Sequence, residues 1–104
     1  MMVSVGQPVA GQAAEPVAAL QRSARPLIAE IDLSAIAANT SAIKALVGPS
    51  CRVMAVVKAD GYGLGAPWVA LAALEGGASW LGVACVDEGI QLRRAGYSGP
   101  ILVL

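Results

Sequence analysis

The stretch CRVMAVVKADGYGLG, residues 51–65, decides how the rest of the sequence reads. Residues 51–57 are apolar except for Arg52 and rich in valine, the composition of a strand covered on both faces by crossover helices. The run closes on Lys58, and the glycines at 61, 63 and 65 that follow break any regular strand. A helical segment then opens with Pro67 in its first turn, where a missing N–H costs nothing, and stops at Gly76 and Gly77. Strand, glycine turn and helix in this order make one β/α unit.

The same pattern extends in both directions. Upstream, residues 27–31 read as a strand and Asp32 as the N-cap of a helix. The apolar positions of that helix, Leu33, Ile36, Ile43 and Val47, fall at helical spacing, and Gly48 and Pro49 stop it. Downstream, residues 80–85 read as a strand. The helix after it carries Asp87 and Glu88 in its first turn and Arg93 and Arg94 in its last, matching the helix dipole, with Gly96 as its stop. A turn over 97–100 leads to a fourth strand at 101–104. The fold class is therefore α/β, with parallel strands joined by helices. Right-handed crossovers place every strand-to-helix loop at one end of such a sheet, where ligands bind. Asp32, residues 58–65 and Asp87 all lie at that end, and for Asp32 capping is a sufficient explanation.

Composition excludes several function classes. Net charge is zero and 57% of the residues are apolar, so there is no basic stripe to neutralise nucleic-acid phosphates. The apolar stretches at 63–74 and 76–86 are bounded by Asp60, Glu75 and Asp87, and each is shorter than the roughly 20 residues a membrane span needs. Residues 1–24 lack the basic start and continuous apolar centre of a secretory signal and are expected to form a flexible tail before a domain at 25–104. Cys51 and Cys85 lie in apolar segments without CxxC spacing, which suggests reduced, buried thiols in the cytoplasm. No metal-ligand spacing is present.

Lys58 carries the most chemical information. A lysine directly after a buried strand holds its amine at the mouth of the sheet, where desolvation disfavours the ammonium form and leaves an amine able to condense with an aldehyde. Position alone favours the plainer reading of a solvated strand-end charge. A second reading takes Gly61, Gly63 and Gly65 as a phosphate- or nucleotide-binding turn feeding a helix N-terminus. The dinucleotide fingerprint would place its third glycine at 66, where Ala66 stands.

The motif separates these readings. VVKADGYGLG, residues 56–65, is similar to the cofactor-lysine signature of bacterial alanine racemases. RPLIAEIDLSAIAAN (25–39) resembles the start of that family's barrel, GASWLGVACVDEGIQLRRAG (77–96) its third strand and helix, and PILVL (100–104) its fourth strand. The resemblance implies a partial TIM (β/α)₈ barrel: the first three β/α units and the start of a fourth parallel strand. It also implies pyridoxal 5′-phosphate as cofactor, interconversion of L- and D-alanine for peptidoglycan of the cell wall, and a homodimer in which the barrel precedes a β-rich domain.

Carried onto this sequence, the resemblance makes Lys58 the cofactor-bearing lysine and the base on one face of the substrate α-carbon. Tyr62 would hydrogen-bond the cofactor phosphate; its plainer reading is a turn aromatic packed on the next helix. Strand alternation puts Val56 on the same side as Lys58, so Val56 would line the pocket. By resemblance Leu102 and Leu104 sit near the cofactor, Leu104 closest, although inward barrel residues mostly only fill space. Tyr97, in a helix-to-strand turn at the far end of the sheet, is not the family's opposite base. Two departures stand out. Leu64 occupies a position where the family usually has histidine. The chain has 104 residues where a complete barrel takes about 250, so the arginine facing the pyridine nitrogen, the later strands and the second domain would all lie beyond Leu104. The expectation is a chain that does not racemise alone and is poorly soluble.

Overall fold

The computed structural model describes residues 2–5 and 27–104. In chain order the elements are β1 (Met2–Val5), β2 (Ala29–Asp32), α1 (Leu33–Val47), β3 (Met54–Val56), α2 (Lys58–Tyr62), α3 (Ala66–Glu75), β4 (Trp80–Val83), α4 (Val86–Arg94) and β5 (Ile101–Val103). Strands β3, β4 and β5 form a parallel sheet in that order, with Val56, Gly82 and Leu102 in one row across it. Two β-α-β crossovers, through α3 and α4, join its strands, which is the α/β architecture expected from the sequence.

The strand ahead of α1 departs from expectation. The sequence reading places it in the same parallel sheet, whereas β2 pairs antiparallel with β1, Met2 opposite Asp32 and Val5 opposite Ala29. Residues 2–5 alternate valine with other residues, and an extended segment of that composition satisfies the backbone of β2 directly. These four residues were expected to belong to a tail; residues 6–24 of that expectation lie outside the described residues. Among the described residues the parallel sheet therefore has three strands instead of four.

Local chemistry sets the helix ends. The Asp32 carboxylate accepts the Ala35 N–H at 3.1 Å and caps α1. At the other end the Lys44 ammonium donates to the carbonyls of Gly48 and Cys51, closing the helix and tying down the turn into β3. Pro67 lies in the first turn of α3, and Gly76 ends it. The Cys51 and Cys85 thiols are free but exposed, contrary to the burial expected of them. Both fall in bends outside the strands, which are shorter than the apolar runs that contain them.

The core has two parts, and α3 lies between them. Val57, Leu81, Val83 and Leu92 are each at most 1% exposed and pack with Ala66 and Ala70 of α3. Side chains of this size contribute about 1.5–3 kcal/mol each when fully buried. Ile31 and Leu33 at the β2–α1 junction pack with Ala72 on another face of α3. The alanine-rich surface of α3 lets sheet and α1 both approach closely. At Gly76, just past its end, an added Cβ would collide with the Ala37 carbonyl oxygen and lie 2.7 Å from Thr40 Cβ.

Candidate functional site

The site grows from the end of β3. Val57 buries its side chain in the core, and its N–H donates to the Gly82 carbonyl at 2.8 Å, so the chain is fixed on β4 one residue before Lys58. Lys58 follows, half-buried, at the end of the sheet from which the strand-to-helix loops leave.

The chain then makes an unusual turn. Ala59, Asp60, Gly61, Tyr62 and Gly63 all have positive φ, between 51° and 84°, which amounts to a turn of left-handed helix. An L-residue in this conformation costs roughly 1–2 kcal/mol, and three of these five are not glycine. The turn is closed internally: Gly61 N–H donates to Val57, Gly63 N–H to Ala59, Leu64 N–H to Gly61 and Gly65 N–H to Asp60. At Gly61 a Cβ would lie 3.1 Å from Val69 Cγ2 and 3.3 Å from Ala66 Cα, so this position is both left-handed and tightly packed.

Two carboxylates hold the turn. Asp60 Oδ1 accepts the Ala66 N–H at 2.9 Å and so caps the start of α3. Glu88, in the first turn of α4, reaches across to the neighbouring β/α unit. Its Oε2 accepts from Ala84 N–H at 2.7 Å and its Oε1 from Ala59 N–H at 2.8 Å. These bonds to Ala84 and Ala59, with smaller help from the Cys85 N–H and the Lys58 charge, hold the Glu88 carboxyl below its ordinary pKa of 4.5 against the opposing effect of desolvation.

These bonds also decide against the nucleotide reading. A loop that cradles phosphate presents free N–H groups, whereas the N–H groups of residues 61, 63, 64 and 65 are already bonded within the turn. The Asp60 carboxylate occupies the helix start where an anion would sit.

The sequence has two lysines, and their situations differ. Lys44 is committed to two backbone carbonyls. Lys58 Nζ makes no hydrogen bond among the described residues and is left available for condensation. The Tyr62 side chain is 63% exposed and has a phenol free of hydrogen bonds among the described residues. Val56 lies in the row with Gly82 and Leu102, on the face opposite the core residues Leu81 and Val83. Lys58 and Leu104 each come two residues beyond that row on their own chain segments, and Leu104 N–H donates to the Val83 carbonyl at 2.8 Å. Gly82, in the middle of this face, is itself buried, with Val56 Cγ2 at 3.3 Å and the Met54 sulfur at 3.4 Å from where its Cβ would stand. An amine that can condense with an aldehyde, a phenol that can donate to a phosphate and apolar side chains on the sheet face ahead of Lys58 are a donor set that fits pyridoxal 5′-phosphate. Tyr97 is at the other end of the sheet, its hydroxyl donating to the Pro100 carbonyl at 3.2 Å.

Asp60 and Glu88 are the functional residues that the sequence reading missed. Glu88 had a signal, since a glutamate at the third helical position is the spacing of a capping box. Asp60 had none, because its partner six residues on is set by the left-handed turn.

The profile of the family described as "Alanine racemase, N-terminal domain" matches residues 31–104. The chain belongs to the alanine racemase family. It is 60% identical over 80 residues to an alanine racemase of Symbiobacterium thermophilum, covering 77% of this chain and 21% of that protein. It is 55% identical over 76 residues to alanine racemase 1 of Bacillus subtilis, covering 73% of this chain and 20% of the relative. Among solved structures, the alanine racemase of Bacillus anthracis with bound L-Ala-P aligns with a TM-score of 0.70 at 47% identity, over 71% of this chain and 19% of that one. The chain spans about a fifth of the length of the alanine racemases it matches. No helix among the described residues is long and apolar enough to cross a membrane.

Proposed function

We propose that this chain supplies the cofactor-lysine unit of a racemase that interconverts L- and D-alanine on pyridoxal 5′-phosphate, with Lys58 as the lysine. The observation that carries the reading is the contrast between the lysines: Lys44 is bound as a helix cap, and Lys58, at the strand-to-helix end of a parallel sheet, makes no hydrogen bond among the described residues. The L-Ala-P in the Bacillus anthracis relative supports alanine as the substrate. A (β/α)₈ barrel, a homodimer, a cytoplasmic setting and a role in peptidoglycan supply belong to the same proposal.

Bound pyridoxal 5′-phosphate supplies an aldehyde and an electron-withdrawing ring that acidify the α C–H of an amino acid. This chain's residues do the rest of what can be assigned to it. The Lys58 amine would hold the cofactor and, when released, would take and return the α-proton on one face. Tyr62 would donate its phenol O–H to the phosphate as a neutral group. Val56 and Leu104 would supply apolar lining for the cofactor. The proton on the opposite face needs a group from elsewhere, because Tyr97 is at the wrong end of the sheet.

Reductive trapping tests the assignment. Incubation with pyridoxal 5′-phosphate, borohydride reduction and peptide mapping should place the pyridoxyl group on Lys58 and leave Lys44 unmodified. Labelling of Lys44 or the amino terminus with Lys58 untouched would refute it.

A further inference from the structure

We propose that Glu88 is a positioning residue for Lys58, acting through the backbone of Ala59; this rests on the reading of Lys58 as the cofactor lysine. Lys58 sits between two anchors. Before it, Val57 is fixed by its buried side chain and by its bond to Gly82. After it, Ala59 turns at once into left-handed backbone, φ 51° and ψ 49°, a conformation that alanine does not hold without restraint. The bonds inside the left-handed turn restrain the carbonyl of Ala59, which accepts from Gly63. The restraint on its N–H comes from outside, from Glu88 Oε1 at 2.8 Å.

The origin of that carboxylate gives the contact its purpose. Glu88 is 29 residues from Ala59 and belongs to the next β/α unit. Its second oxygen, on Ala84 N–H at 2.7 Å, fixes it to the start of its own helix. One rigid anion therefore links the loop after β3 to the loop after β4. The peptide it holds is the one joining Lys58 to Ala59, so its orientation sets the direction in which the Lys58 side chain leaves the backbone. A role confined to its own helix start would need only the bond from Ala84, the residue before the Cys85 N-cap. The Ala59 bond is additional, and it falls beside the lysine whose amine makes no hydrogen bond among the described residues.

The test uses the full chain with Glu88→Ala, Glu88→Gln and the unaltered protein, and two readouts. The first is amide hydrogen exchange at Ala59 relative to Val69 in α3, measured without cofactor. The second is the rate of borohydride-trapped labelling of Lys58 at limiting pyridoxal 5′-phosphate. In Glu88→Ala, Ala59 exchange should rise at least about tenfold, as for loss of a charge-assisted hydrogen bond, while Val69 is unchanged. Lys58 labelling should slow in parallel. Glu88→Gln, which retains one carbonyl acceptor, should fall between the two on both readouts; this rescue separates positioning from misfolding. Unchanged Ala59 exchange in Glu88→Ala, or faster exchange with undiminished Lys58 labelling, would overturn the proposal. Absence of Lys58 labelling in the unaltered protein would instead refute the cofactor reading, while the exchange data would still show whether Glu88 holds the peptide.

Discussion

At the scale of single residues the site is defined by backbone that the residue types do not favour. Ala59 carries the strain of a left-handed conformation without the freedom of glycine, so Ala59→Gly should raise stability by about 1 kcal/mol, the relieved strain less the entropy glycine gains when unfolded. Gly61→Ala should do the reverse by about 2 kcal/mol, since it adds left-handed strain and a 3.1 Å contact with Val69 Cγ2. Urea titration checks both, and a stabilised Gly61→Ala would contradict the geometry. The strain persists because side-chain acceptors hold it, and the Glu88 carboxylate makes the turn acid-sensitive. Hydrogen bonds from Ala84 and Ala59 put the folded-state pKa of Glu88 below its ordinary 4.5. Its stabilising contribution is therefore complete above that value and is lost as pH falls through the lower folded one. The amide proton resonances of Ala59 and Ala84 should shift together in that acid range, with a midpoint under 4.5, and the joint step should be absent in Glu88→Gln.

At the scale of elements, the tightest constraint is the approach of α1 to the end of α3. Gly76 lies so close to α1 that any Cβ meets the Ala37 carbonyl oxygen, and backbone cannot move aside as a side chain can. Gly76→Ala should cost about 1–3 kcal/mol through overpacking and lower the thermal midpoint, although alanine is ordinarily the better residue beside a helix. An unchanged midpoint in a calorimetric scan would show that α1 and α3 are not locked together. The same elements show what was legible in the sequence. Helix boundaries were, because Asp32, Gly48, Pro67 and Gly76 act on their own neighbourhood through caps and missing donors. The strands could be read as existing but not where they ended: Cys51 and Cys85 share the apolar character of the runs that hold them, and yet the ladder has already released them. The partner of β2 could not be read, since strand pairing is a choice among distant segments and residues 2–5 looked like a tail. Lys58 was singled out by its motif, and its place at the end of β3 followed from the apolar run before it. The left-handed turn after it was only half legible, because glycine announces positive φ and Ala59, Asp60 and Tyr62 do not.

At the scale of the whole molecule, the parallel sheet is covered on one side only among the described residues. Leu81 and Val83 face the helices and are fully buried, while the opposite face presents Met54, Leu102 and Leu104, at 37%, 42% and 60% exposure. Strand β5 is also an edge among the described residues. Both features favour self-association, and their magnitudes differ. Edge pairing along three residues adds few backbone hydrogen bonds, each worth about 0.5–1.5 kcal/mol net. Covering the open face buries several large side chains at about 25 cal/mol per Å² of apolar area. The face should dominate. Pro100 and Leu104 direct backbone groups toward β4, so the Val103 N–H between them points outward and can be removed without loss of a ladder bond. Val103→Pro therefore disables the edge alone, whereas Leu102→Lys places a charge on the face alone. Sedimentation velocity over a concentration series should show the unaltered chain associating, Val103→Pro associating nearly as strongly, and Leu102→Lys largely monomeric. If Val103→Pro were the monomeric variant, contact between copies would run through strand pairing, and the open face would not be the apolar surface that this half-covered sheet most needs to bury.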